Sequence, residues 1–154
     1  MFKYKSSPIV ILILLGFVAV FFFIALKVSK MEIEKEDELL KNDIVFSGII
    51  TNLNVSENHA FGILQLRIIK ANNHSFKQYQ KNKIFPYAIK NSTAEIYTHI
   101  AIPEIKKGYK VILNSNNQTI TIYDGDKFLY EWEASMVSED RDKQFVKENT
   151  IFKQ

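Results

Sequence analysis

The sequence predicts a mainly β protein. An N-terminal transmembrane helix and a short stalk lead into a small antiparallel β-barrel or sandwich of the OB or SH3-like kind, closed by a short C-terminal helix. Three observations carry this expectation. An uncharged apolar run extends from Pro8 to Leu26. From Ile44 onward the chain turns to β-branched and aromatic residues with period-two alternation. No convincing crossover helices separate those strands, which disfavours a parallel βαβ arrangement. A chain of 154 residues allows one domain plus an anchor. Its expected parts are a basic tail (1–7), a transmembrane helix (8–26), a charged helical stalk (27–43), a β domain (44–134) and a C-terminal helix or tail (135–154).

The apolar run of 19 residues would span roughly 28 Å as a helix, close to the ~30 Å hydrocarbon thickness of a bilayer. Ser7 and Pro8 suit an N-cap and a first helical position. Lys3, Lys5, Lys27 and Lys30 bracket the run and can reach headgroups. A cleaved signal peptide would have a shorter apolar core ending in small residues, and Ala25 to Ser29 offers no small-x-small pair. An uncleaved, single-pass anchor in the cell membrane is therefore expected. Counting basic residues on the two sides does not favour a cytoplasmic N-terminus. The basic residues ahead of the first apolar stretch do, and they place the β domain outside the cytoplasm.

Residues 31–43 hold six acids against two lysines. They are good helix formers, with Asp37 and Lys41 at i,i+4 spacing, so the helix is expected to continue as a solvated spacer. No heptad is sustained for a coiled-coil neck. Ile44 to Val55 reads as a first strand, with Gly48 as a bulge or close-approach point. Ser56 to His59 is turn chemistry, and Ala60 to Lys70 reads as the hairpin partner. Residues 71–83 look like a long polar loop. Ile84 to Ile89 reads as a short edge strand interrupted by Pro86, and Ala94 to Ile102 alternates as a strand should. Gly108 precedes a strand from Tyr109 to Leu113. Thr119–Tyr123 and Phe128–Trp132 form a hairpin across Asp124-Gly-Asp-Lys127. Alternation puts Phe128, Tyr130 and Trp132 on one face of the last strand, as core, with Glu131 and Glu133 on the other. Glu139 and Asp140 open a short C-terminal helix.

Several chemistries are excluded. The chain has no cysteine, which removes disulfides, thiolate catalysis, cysteine-ligated metals and a lipidated cysteine anchor. Of the 20 basic residues only Arg67 and Arg141 are arginine, a lysine bias that reads as bacterial origin and not as function. A net charge of +3 is too small to point to nucleic acid. His59, His74 and His99 show no paired metal-ligand spacing. The five glycines do not cluster into a phosphate cradle, and no nucleophile elbow is present. Asp124 and Asp126 lack the further ligands of a calcium loop. No catalytic, cofactor or metal residue is assigned.

One segment stands out. From Arg67 to Lys90 there are six basic residues (Arg67, Lys70, Lys77, Lys81, Lys83 and Lys90), no acid, and interleaved aromatics. Such a segment could lie against anionic lipid, a polyanionic glycan or a nucleic acid. The leading expectation is a non-enzymatic, membrane-anchored β domain that binds another envelope component, an envelope protein for example. The first alternative is peripheral contact with anionic lipid or glycan through residues 67–90. The second is an enzyme whose site is assembled from scattered residues such as Glu95, His99 and Asp124.

The stretches Phe46-Ser-Gly-Ile-Ile50, Ile105-Lys-Lys-Gly-Tyr-Lys-Val111, Thr119-Ile-Thr-Ile-Tyr123 and Phe128-Leu-Tyr130 carry a resemblance. Across residues 44–132 the chain resembles small uncharacterised membrane- or lipid-anchored bacterial proteins with a C-terminal β domain. Tyr109 stands where that pattern has Asp. The resemblance implies a β domain and no activity.

Overall fold

A computed structural model describes residues 8–57, 61–77, 79–80, 82–99 and 105–152. The chain divides into two units, Met1–Leu39 and Leu40–Gln154.

In the first unit the apolar run and the charged stalk are one helix, α1 (Pro8–Leu40). No glycine pair, proline or cap interrupts residues 26–40, so nothing in the sequence stops the helix where the composition changes. Its apolar side chains from Leu14 to Ile33 are exposed, Phe17 and Phe21 about three-quarters so. The helix is long and apolar enough to cross a membrane, and its most apolar stretch reaches a mean hydropathy of 2.0.

The second unit is an antiparallel sheet of eight strands in the order β10-β9-β8-β1-β2-β7-β6-β3. The strands are β1 (Val45–Val55), β2 (Phe61–Ala71), β3 (Ser75–Phe76), β6 (Tyr87–Lys90), β7 (Thr93–His99), β8 (Lys110–Asn114), β9 (Thr119–Asp124) and β10 (Lys127–Glu133). A separate two-stranded ribbon joins β4 (Tyr79–Gln80) to β5 (Lys83–Ile84), and α2 (Asp140–Asn149) follows the last strand. The long polar loop expected over 71–83 is therefore broken into three short strands. Pro86 does separate two strands, but β6 is not an edge, because β3 pairs with its outer side. Among the described residues no ladder joins β10 to β3. The sheet is open, where closure into a barrel was one expectation.

The sheet is nevertheless strongly curled. Phe46 on β1 and Tyr87 on β6 lie three strands apart, about 14 Å along a flat sheet, yet their rings meet edge-on at 6.2 Å. Gly48 makes part of this bend. A Cβ there would stand 2.7 Å from the Arg67 carbonyl oxygen, and the register slips beside it, leaving Ile69 as an extra residue on β2. A second slip leaves Thr51 extra on β1. The concave face packs rows such as Phe46, Leu113, Ile120 and Trp132, or Ile50, Leu66, Ala94 and Ile89. Most of these side chains are fully buried, each contributing on the order of 1.5–3 kcal/mol.

The chain reaches β1 through a tightly held turn. Asp43, three residues past the end of the helix, adopts a left-handed φ of 60°. Asn116 Nδ2 donates to Asp43 Oδ1 at 2.8 Å, Ile44 N donates to Ser115 Oγ at 2.8 Å, and Val45 N donates to Asn72 Oδ1 at 2.9 Å. Tyr87 donates its hydroxyl to Asn42 Oδ1 at 2.7 Å.

The C-terminal segment covers half of the convex face. Residues 134–152 pack Val137, Val146 and Phe152 against Phe61, Ile63, Ala88 and Tyr97, and Val137 bridges to Ile84. Both faces of β2 are thus buried at Ile63 and Leu64. Under this cover lies Glu95, fully buried. Its carboxylate accepts from Gln65 Nε2 at 3.2 Å, the Tyr97 hydroxyl at 3.0 Å, the Ile151 amide at 3.1 Å and the Thr150 hydroxyl. The helix opens without a side-chain cap. Its first turn instead pairs Asp140 with Lys143 at 2.7 Å, which holds that carboxyl below the usual range.

Candidate functional site

The other half of the convex face is uncovered, and the sheet register decides what stands on it. Residues directly opposite one another on neighbouring strands share a face. Phe128 is opposite Tyr123, Tyr123 opposite Lys110, Lys110 opposite Ile49, and Ile49 opposite Arg67. Arg67 is opposite Thr93, Thr93 opposite Lys90, and Lys90 opposite Ser75. One row therefore crosses all eight strands, with cations on β6, β2 and β8 and no acid in it. Successive cations are two strands apart, about 10 Å, so Lys90 to Lys110 covers about 19 Å along the sheet.

Lys70 stands beside this row, opposite Ser47. Together with Lys110, Val45, Ser47, Asn72 and Ile112 it lines an open groove of about 310 Å³. The Asn72 side-chain oxygen accepts from Val45 N. Among the described residues none of Arg67, Lys70, Lys90 and Lys110 is ion-paired with a carboxylate. Lys110 Nζ lies 6.0 Å from the centre of the Tyr123 ring, at the outer limit of a cation–π contact.

The aromatic end of the row arises from a bulge. Leu129 is extra on β10, so Phe128 pairs with Tyr123 while Tyr130 and Trp132 pair with Ile122 and Ile120. The three aromatics of the last strand do not share a face, as alternation alone predicts. Tyr130 and Trp132 stack at 5.9 Å on the concave side, whereas Phe128 meets Tyr123 edge-on at 6.0 Å on the convex side and is 55% exposed. Glu131 and Glu133 do share a face, and the Thr121 hydroxyl donates to Glu131 at 3.1 Å.

The six basic residues singled out in the sequence separate into two sets. Arg67, Lys70 and Lys90 belong to the open face. Lys77 donates to the carbonyl of Phe152, and Lys83 is half-buried on β5 beside the C-terminal segment. Lys81 lies outside the described residues. Lys110 is the member that the sequence reading missed. It is 43 positions from Arg67 and no local signal links the two; only the pairing of β8 with β1 brings them together.

Glu95, His99 and Asp124 are not assembled. Glu95 is enclosed by its four donors. His99 ends β7 with its ring 5.6 Å from that of Phe61, and Asp124 lies on β9, four strands away from β7. A smaller polar cavity of about 130 Å³ lies between His99, Ser138 and the buried Asp142. Among the described residues no group of three or more histidines and carboxylates could hold a metal ion. His59 lies outside the described residues. Comparison of the chain with protein-family models, curated proteins and solved structures gives no match.

Proposed function

We propose that this is a single-pass membrane protein whose β domain is a non-catalytic binding module facing another component of the cell envelope. The observation that carries the reading is the uncovered half of the convex face. It presents Arg67, Lys70, Lys90 and Lys110, none of them ion-paired with a carboxylate among the described residues, with an apolar groove and an exposed aromatic end, while the other half is covered by the C-terminal segment. Val45 and Phe128 both stand exposed on this face, and exposed apolar side chains of this kind mark interaction surfaces. The basic residues before α1 favour a cytoplasmic N-terminus and a β domain on the far side of the membrane.

A photoreactive amino acid at Thr93, in the middle of the row, tests this in living cells against the same group at Glu148 on α2. The reading expects a discrete adduct from position 93 and none from 148. Adducts from both positions, or from neither, would contradict it.

A further inference from the structure

Resting on that reading of the open face, we infer that its partner is a linear anionic polysaccharide of the envelope. The chain would be laid across the strands along the row Lys90, Arg67 and Lys110.

Three features lead to this class of ligand. The first is the linear spacing. Cations two strands apart, in one register row and without carboxylate partners, offer evenly repeated charge over about 19 Å. A single small anion can engage only one of them at a time, whereas a polymer with repeating carboxylate or sulfate groups meets all three. The second is the groove beside the row. Its lining combines the apolar Val45 and Ile112 with the cationic Lys70 and Lys110, a combination that suits the mixed apolar and anionic surface of a sugar chain. The third is the spacer. Residues 27–40 are helical and acidic, with Glu32, Glu34, Glu36, Asp37 and Glu38, so this segment is itself repelled by an anionic bilayer.

The row also has a defined end. Beyond Lys110 it continues into Tyr123 and Phe128, and the neighbouring positions on β10 are Glu131 and Glu133. Anionic polymer is repelled there, so binding runs from β8 toward β6 and not along the whole sheet.

The test uses the full chain in nanodiscs of neutral lipid. The probes are polygalacturonate and dextran sulfate oligomers, neutral dextran, monomeric galacturonate, a single-stranded oligonucleotide and phosphatidylglycerol vesicles. The inference expects at least one anionic polysaccharide to bind, more weakly at high salt, with neutral dextran and the monomer giving no signal. Arg67→Gln, Lys90→Gln and Lys110→Gln should each weaken that binding by about two- to fivefold, the range for exposed charge pairs. Lys147→Gln, on the exposed side of α2, should leave it unchanged. The inference is overturned if both anionic polysaccharides fail to bind, if the row variants bind as tightly as the unmodified chain, or if the vesicles or the oligonucleotide bind more tightly. In each of those cases a position-93 adduct in cells would still uphold the open face as a binding surface, and its absence would remove both.

Discussion

Arg67 and Lys110 stand in one row of the sheet, on the two strands that flank Ile49, although 43 positions separate them in the chain. Like charges two strands apart contribute nothing to folding, and neither side chain is ion-paired among the described residues. Arg67→Gln, Lys90→Gln and Lys110→Gln should therefore each change unfolding free energy by no more than about 0.5 kcal/mol. Urea titration of the three variants checks this. A loss of several kcal/mol in any of them would make the row a structural feature.

Gly48 sets the bend between β1 and β2. Gly48→Ala places a methyl group 2.7 Å from the Arg67 carbonyl and 3.2 Å from Leu66 Cβ. The backbone atom cannot rotate away, so the variant should lose about 1–3 kcal/mol, seen as a lower thermal midpoint. It should also lose open-face binding, because Arg67 would shift with its carbonyl.

The Glu95 carboxylate ties the C-terminal segment to β7. Thr150→Val removes one hydroxyl donor from the buried Glu95 carboxyl group and should cost about 1–3 kcal/mol. Hydrogen exchange should rise first in residues 140–152, while the β8–β9 ladder keeps its protection. Uniform loss of protection would mean that the segment does not open separately from the sheet.

Tyr87 gives the fold an alkaline limit. Burial, offset in part by its hydrogen bonds with Asn42 and Ser115, pushes its phenol up to about 12 from 10.0. The unfolded chain ionises first, so the tyrosine's contribution is intact below pH 10 and declines as pH rises toward 12. The decline should amount to roughly 1–3 kcal/mol over that window. Tyr87→Phe should flatten that slope, at the expense of the bond to Asn42. An unchanged slope in the variant would assign alkaline unfolding to other groups.

Much of the architecture was legible because it is local. Alternation located β1, β2 and the three strands from β8 to β10, the composition marked the membrane-length helix, and Glu139 and Asp140 marked the start of α2. What escaped depends on partners distant in sequence. The bulge at Leu129 turns Phe128 to the opposite face from Trp132, and no residue type announces it. Glu95 reads as solvent-facing by alternation against Ala94 and Ile96, yet α2 and Thr150 cover that face as well. The short strands within 71–83 have too little pattern to stand out; they are held by β6 and by Val137. The cationic row is the clearest case, since a basic window over 67–90 includes Lys77 and Lys83, which turn elsewhere, and omits Lys110.

The central claim is that the open face is an occupied binding surface outside the cytoplasm, and the absence of cysteine allows a direct test. Single-cysteine chains carrying Thr93→Cys in the row, or Asn117→Cys on the exposed turn before β9, would be treated with a membrane-impermeant maleimide. Intact cells, with any outer membrane permeabilised, are compared with the purified protein. The account predicts that position 117 reacts in intact cells and in the purified protein alike, while position 93 reacts only once purified. Equal reactivity of both positions in cells would show an empty face, and labelling of position 117 only after lysis would place the domain in the cytoplasm.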